Sequence, residues 1–127
     1  MADGPPPRIL VVDDELYNRD LMVRTFARAA EVVAAADATE ALAVLERWPA
    51  DALVSDLALG RPTGVELARA ARARWPRLRV VVVTGFDDEP TLVAAQAAGV
   101  VDEVIAKPWA PQALRARVLA LIAATAG

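Results

Sequence analysis

The chain has 127 residues, the size of one domain, and 56% of them are hydrophobic, which favours a folded core over a disordered chain. It contains no cysteine and no histidine, so disulfide scaffolds, thiolate or imidazole metal sites and histidine-based catalytic triads are excluded. The net charge of −3 gives no basic footprint for nucleic acid, and no apolar stretch predicts a membrane span or signal peptide. We therefore expect a cytoplasmic protein that contacts neither nucleic acid nor membrane directly.

Short apolar runs alternate with helix-period segments along the chain. Residues 1–7 are small, polar and proline-rich, and predict a flexible tail before one domain over residues 8–127. Three of the apolar runs are almost continuously Val, Ile or Leu, as in strands covered on both faces of a parallel sheet. The alanine-rich run at residues 31–36 is predicted as a strand, but its composition is also compatible with a helix. The predicted strands cover residues 9–12, 31–36, 52–55, 80–83 and 101–106.

Helices are predicted between and after these strands. Residues 37–40 have the pattern of a capping box, Trp75-Pro76 ends the third helix, and Pro90 and Gly99 mark the two ends of the fourth. Because the chain ends soon after the last helix, we expect it to contain no output domain. The predicted helices cover residues 16–30, 39–47, 64–74, 89–98 and 112–124.

The fivefold alternation predicts an α/β fold with a doubly wound, five-stranded parallel sheet, because parallel strands need crossover helices. The alternation does not determine the order of the strands. We adopt the common flavodoxin-like order 2-1-3-4-5, in which the first and third strands are neighbours.

Polar residues follow four of the predicted strands. Asp13 and Asp14 close the first, Asp56 the third, Thr84 the fourth and Lys107 the fifth. Ligands of such sheets bind at the carboxyl ends of the strands, where the strand order reverses. With the adopted order, the three carboxylates are expected to lie close together, with Thr84 and Lys107 beside them.

These residue types together suit phosphoryl transfer to a carboxylate. Clustered carboxylates repel one another, and a hard cation such as Mg²⁺, which prefers oxygen ligands, offsets that repulsion. Lys107 is the only lysine in the chain, and with the hydroxyl of Thr84 it can bind a phosphate. Each feature alone has an ordinary explanation, since an acidic pair often caps a helix and a lone aspartate often sits in a turn. Their occurrence at four strand ends points to a nucleophile, a metal and a phosphate-binding pair.

The motifs around these positions resemble those of the receiver domain of bacterial response regulators. The resemblance covers residues 8–124, and the motifs are Ile-Leu-Val-Val-Asp13-Asp14-Glu15, Ser-Asp56-Leu-Ala-Leu, Val-Val-Thr84-Gly85 and Ala-Lys107-Pro108-Trp109.

The resemblance implies a role for each of these residues. Asp56 is the expected phosphoacceptor, and Asp13, Asp14 and Asp56 are expected to bind Mg²⁺ together with the backbone carbonyl of Ala58. Thr84 is the expected switch hydroxyl and Lys107 the phosphate-binding lysine. The resemblance further implies a cis peptide bond before Pro108, and Gly64 matches a glycine common in the loop before the third helix.

The implied partners are a phosphodonor and a target. The donor is a sensor histidine kinase or a histidine phosphotransfer protein. The target binds the face formed by the fourth helix, the fifth strand and the fifth helix. The resemblance further implies a regulated phosphoacceptor that assists its own phosphorylation and dephosphorylation, rather than a turnover enzyme.

The chain departs from the family pattern at two positions. Gly60 replaces a common proline, and Val104 replaces the aromatic residue that often moves together with the switch threonine. The sequence therefore does not determine whether a movement of Thr84 is coupled to an aromatic side chain. Trp109 follows Lys107-Pro108, matches a common aromatic there, and is not an obvious substitute.

Several features have more than one interpretation. The arginines at 69, 72, 74, 77 and 79 are interpreted as a solvated face rather than a nucleic-acid patch. Residues 17–19 either form ordinary surface or dock the phosphodonor. Two other functions stay open: a flavodoxin-like cofactor binder, which the acidic loop after the first strand disfavours, and a degenerate receiver that only binds partners.

Overall fold

The computed structural model describes residues 4–126, in which five strands alternate with five helices. The strands are β1 (Arg8–Val12), β2 (Glu31–Ala35), β3 (Ala52–Asp56), β4 (Arg79–Thr84) and β5 (Glu103–Ala106). The helices are α1 (Leu16–Phe26), α2 (Ala38–Arg47), α3 (Gly64–Arg74), α4 (Pro90–Ala97) and α5 (Pro111–Ala126). Within the described range no helix is both long and apolar enough to cross a bilayer.

The predicted tail over residues 1–7 lies partly outside the described residues. Residues 4–7 form neither helix nor strand. The flexibility of the tail and the domain limits of 8–127 stay predictions.

All five strands pair in parallel in one sheet, in the order β2-β1-β3-β4-β5. The predicted fold class and strand order are confirmed. In the register of the sheet, Val12 lies beside Ser55, Asp56 beside Val83, and Thr84 beside Ala106. The carboxyl ends of the four strands β1, β3, β4 and β5 therefore lie side by side along one edge.

Each face of the sheet is covered by its own helices. On one face, α2, α3 and α4 pack on alternate strand residues such as Leu10 and Leu53. On the other, Phe26 of α1 and residues of α5 pack on the intervening residues, such as Ile9 and Val54. Since side chains alternate along a strand, Asp13 and Asp56 continue the rows that face α1 and α5. Their carboxylates are thereby brought to the same side of the sheet.

Helix α1 is shorter than predicted, and the alanine-rich run after it is a strand. The helix ends at Phe26 rather than residue 30, in a turn in which the Ala29 N–H donates to the Phe26 carbonyl. The following turn brings the chain to Glu31, whose N–H donates to the Pro7 carbonyl. Pairing of β2 with β1 along its whole length outweighs the weak helix propensity of the alanines.

The prediction of a solvated arginine face is wrong for Arg72 and Arg79. Arg72 Nη2 lies 2.5 Å from Asp102 Oδ2, and Arg79 Nη1 lies 3.3 Å from Asp102 Oδ1. The same carboxylate accepts the Val80 N–H at 2.8 Å, so Asp102 joins α3 to the start of β4. β5 begins at Glu103, two residues later than predicted, directly after Asp102. The other three of these five arginines, Arg69, Arg74 and Arg77, are exposed as predicted.

Candidate functional site

The polar residues singled out by the sequence meet at one edge of the sheet. Asp13 directly follows β1, Asp56 is the last residue of β3, Thr84 the last of β4, and Lys107 directly follows β5. Because Val12 pairs with Ser55, Asp13 lies next to Asp56. Thr84 pairs with Ala106 in the register of β4 and β5, and the N–H of the next residue, Lys107, donates to the Thr84 carbonyl at 2.9 Å.

The three aspartates form one cluster. Carboxylate oxygens of Asp13, Asp14 and Asp56 all lie within 4.8 Å of one another. Asp13 and Asp56 are buried residues, at 2% and 7% exposed, whereas Asp14 is exposed. A cluster of oxygen ligands with one open side suits a hard divalent cation that keeps some of its water.

Burial and neighbouring negative charge disfavour the ionised form of Asp13 when no cation is bound. Burial raises the pKa of Asp13 above its ordinary value of 3.8, and the neighbouring carboxylates of Asp56 and Asp14 raise it further. The Glu15 N–H, which donates to Asp13 Oδ1 at 2.9 Å, and the charge of Lys107 offset part of this rise in pKa. A cation bound to the cluster would relieve both the desolvation and the repulsion.

Lys107 is paired with the central aspartate. Its Nζ lies 3.1 Å from Asp56 Oδ1, and the ion pair is only partly exposed, with side-chain exposures of 34% and 11%. The peptide bond between Lys107 and Pro108 is cis, as the resemblance implied. The only lysine of the chain thus places its charge against the buried nucleophile candidate.

Thr84 is buried beside this pair, at 2% exposed. Its Oγ1 accepts the Phe86 N–H at 2.9 Å, which leaves the hydroxyl proton available for another acceptor. The side chain of Phe86 is 70% exposed. Val104 is half-buried against the core under α2, α3 and α4, and Trp109 packs against the other core.

Arg19 supports the site in a way that the sequence did not reveal. Its guanidinium donates to the backbone carbonyl of Asp13 at 2.9 Å, which ties α1 to the end of β1. The half-buried arginine therefore holds the position of Asp13. No sequence signal distinguished Arg19 from Tyr17, whose side chain is 69% exposed.

The loop between β3 and α3 is held against Asp56 by features that were only partly predicted. A Cβ atom on Gly64 would lie 2.3 Å from the Asp56 carbonyl oxygen, so only glycine fits there. Thr63 and Glu66 form a full capping box at the start of α3, from a T-x-x-E pattern that was not among the predicted helix signals. Ala58, the expected carbonyl ligand, is exposed within this loop, and its role stays a prediction.

Gly64→Ala is expected to lower the free energy of unfolding by about 1–3 kcal/mol, because the added methyl group clashes with backbone that cannot yield easily. Urea unfolding followed by circular dichroism measures the change. Gly85→Ala is the matched control, since its new methyl group meets open space, and a change within about 0.5 kcal/mol is expected. Equal stabilities of the two variants would contradict the close approach of Gly64 to Asp56.

Fold and site together define a class of protein. A flavodoxin-like sheet carries, where its strand order reverses, buried aspartates beside a lysine and a threonine. The family model of the response regulator receiver domain matches residues 9–119, and the chain belongs to this family of signalling domains.

Curated relatives agree with this membership. The chain is 36% identical over 119 residues to the response regulator MprA of Mycobacterium leprae, which covers 93% of this chain and 52% of that protein. It is 34% identical over 106 residues to the hydrogenase transcriptional regulatory protein HoxA of Cupriavidus necator, covering 84% of this chain and 22% of that protein. The chain therefore spans about half the length of the first relative and less of the second.

Solved structures share the fold. A CheY-like response regulator receiver domain protein of Methanospirillum hungatei superposes with a TM-score of 0.88 at 26% identity, covering 94% of this chain and 96% of the other. The chemotaxis protein CheY4 of Vibrio cholerae superposes with a TM-score of 0.83 at 26% identity, covering 91% of this chain and 98% of the other.

Proposed function

We propose that the chain accepts a phosphoryl group on Asp56 from the phosphohistidine of a sensor histidine kinase or a histidine phosphotransfer protein. The reaction depends on Mg²⁺, and the phosphorylated domain changes conformation to control a partner. The observation that carries the proposal is the pairing of the buried Asp56 carboxylate with Lys107 Nζ at 3.1 Å, inside a cluster of three carboxylates.

Each residue of the site has a chemical part in this transfer. An Asp56 oxygen bonds to phosphorus as the bond from phosphorus to the imidazole nitrogen breaks. Lys107 binds a phosphoryl oxygen and balances its charge, and the Thr84 hydroxyl donates to another. Asp13, Asp14, Asp56 and the Ala58 carbonyl would hold Mg²⁺, which supplies neutralisation of the charge that gathers on the phosphoryl oxygens.

The downstream target is proposed to bind the face formed by α4, β5 and α5. Helix α4 carries no charged residue between Pro90 and Ala97, and its Val93 is 49% exposed. An uncharged exposed helix face suits a protein partner better than nucleic acid, in line with the net charge of −3.

The domain, over residues 8–127, acts in the cytoplasm and assists its own phosphorylation and dephosphorylation.

Incubation with acetyl phosphate tests this function without a cognate kinase. In the presence of Mg²⁺, intact-mass spectrometry is expected to detect one added phosphoryl group that alkaline hydroxylamine removes, as an acyl phosphate requires. Chelation of Mg²⁺ with EDTA is expected to stop its incorporation. Unchanged incorporation in EDTA would contradict the metal site, and an adduct that resists hydroxylamine would contradict a carboxylate acceptor.

A further inference from the structure

A cleft of about 330 Å³ lies beside the carboxylate cluster, between α1 and the loop after β5. Four apolar side chains line it, those of Leu21, Met22, Val83 and Trp109. Polar side chains of Asp13, Asn18 and Lys107 complete the lining together with Pro108. The cleft is therefore amphipathic, and its lining includes the lysine that binds Asp56.

Three of the four apolar side chains that line the cleft pack in or against the core. Met22 and Val83 belong to the core under α1 and α5 and are 2% and 1% exposed. Trp109 packs against the same core. A wall anchored in the core keeps the cleft open before any ligand arrives, so binding there does not require the wall to be ordered first.

The charge and size of the cleft select the ligand. Lys107 attracts an anion, and the apolar side chains of the lining favour an apolar group joined to it. A cavity of about 150 Å³ is enough for benzene, so the cleft is too large for the methyl group of acetyl phosphate to fill and large enough for a six-membered ring. An anion joined to a ring or a branched chain fits both ends.

We propose that this cleft binds the acyl group of a small-molecule phosphodonor, so that the preferred small donors are aromatic or branched acyl phosphates. The inference rests on the proposed phosphoacceptor function of Asp56. An Asp56 carboxylate oxygen bonds to phosphorus while the bond between phosphorus and the acyl oxygen breaks. The electron pair leaves with the carboxylate product, so the step needs no proton and no further reactant.

Phosphorylation rates with benzoyl phosphate and acetyl phosphate test the proposal on the full chain with Mg²⁺. At low donor concentration, intact-mass time courses are expected to be at least about 10-fold faster with benzoyl phosphate, because apolar groups in a fitted pocket contribute differential binding of this size. Equal rates with the two donors would overturn the cleft proposal and leave the phosphoacceptor function standing. Absence of phosphorylation by either donor would instead count against the function itself.

Leu21→Trp is the informative variant, because Leu21 is half-buried and lines the cleft without belonging to the reacting groups. The larger side chain is expected to remove the benzoyl preference, so that the two donors phosphorylate the variant at similar rates. Val93→Trp, which adds the same bulk to the exposed face of α4, is the control and should keep the preference. A preference that survives Leu21→Trp would overturn the assignment to this cleft.

A binding measurement keeps the proposal testable if Leu21→Trp does not fold. Saturation-transfer NMR on the unmodified chain is expected to detect benzoate, with acetate as the reference, because the ring lies against the apolar wall. Asn18→Trp, which adds bulk to the polar part of the lining, should weaken the benzoate signal. Absence of a benzoate signal from the unmodified chain would overturn the proposal.

Discussion

Asp56→Asn is expected to reduce phosphoryl incorporation from acetyl phosphate and Mg²⁺ to the level seen without donor. The amide has nearly the shape of the carboxylate but lacks the charge and the oxygen nucleophile that attack phosphorus. Asp56 is 7% exposed at the end of β3, so the substitution is confined to a position already fitted for a side chain of this size. Intact-mass spectrometry after a fixed incubation measures the loss.

The matched control is Asp87→Asn, at an exposed aspartate of the loop between β4 and α4. It removes the same charge near the same edge of the sheet and should leave phosphorylation unchanged. Circular dichroism of both variants separates loss of the acceptor from loss of the fold. A stable phosphoryl adduct on the Asp56→Asn protein would contradict the assignment of the acceptor.

Asp13→Asn is expected to make the protein more stable and less active. In EDTA at neutral pH, the free energy of unfolding should rise by about 0.5–2 kcal/mol, the usual gain when a strained functional group is relieved. The reason is that Asp13 is 2% exposed and repelled by two carboxylates, and asparagine can still accept the Glu15 N–H. Mg²⁺ affinity should fall by about 100-fold or more, since even indirect support of a metal is worth about 10–100-fold.

The stability gain of Asp13→Asn should depend on pH. The folded-state pKa of Asp13 lies above its ordinary value of 3.8, so the folded protein holds this proton more tightly than the unfolded chain. The stability that this proton contributes is present at pH below 3.8 and is lost as the pH rises through the raised folded-state pKa. The variant and the wild type should therefore be similar in acid and diverge as the pH approaches neutrality.

Urea unfolding at acidic and neutral pH, with EDTA or with saturating Mg²⁺, measures both effects of Asp13→Asn. Mg²⁺ should stabilise the wild type by binding only its folded state and should leave the variant unchanged. Asp88→Asn, an exposed aspartate in the loop before α4, controls for the change in net charge. A variant that is less stable than the wild type in EDTA at neutral pH would contradict electrostatic strain at Asp13.

The strands and the site residues were predictable because their signals are local. A buried parallel strand has a short apolar run in its sequence, and every residue of β3 is indeed buried. Asp56, Thr84 and Lys107 were found because each stands at the end of such a run, where a parallel sheet exposes its carboxyl edge. The N-cap of α2 was also predictable from the sequence, since Asp37 accepts the Glu40 N–H at 2.8 Å. The Glu40 carboxylate, however, binds the Ala36 N–H instead of completing the box.

Other features depend on neighbours that are distant in the sequence. The usual pattern of such folds supplied the strand order, since an alternation of strands and helices is compatible with several orders. The end of α1 at Phe26 depends on the pairing of β2 with β1, and the burial of Arg72 depends on Asp102, thirty residues away. Arg19 is only six residues from Asp13, but its contact with the Asp13 carbonyl depends on the angle at which α1 leaves β1.

By itself, the sequence determined the alternation of strands and helices and the identity of the residues at the strand ends. Hydrophobic periodicity and the residues that start or end an element act over only a few positions. The tertiary structure decided the 3.1 Å contact between Lys107 and Asp56, the approach of Gly64 to the Asp56 carbonyl, and the cleft beside Trp109. Those features arise when segments distant in the chain pack together, as Asp56 and Lys107 do at a separation of 51 residues, and no local pattern encodes that packing.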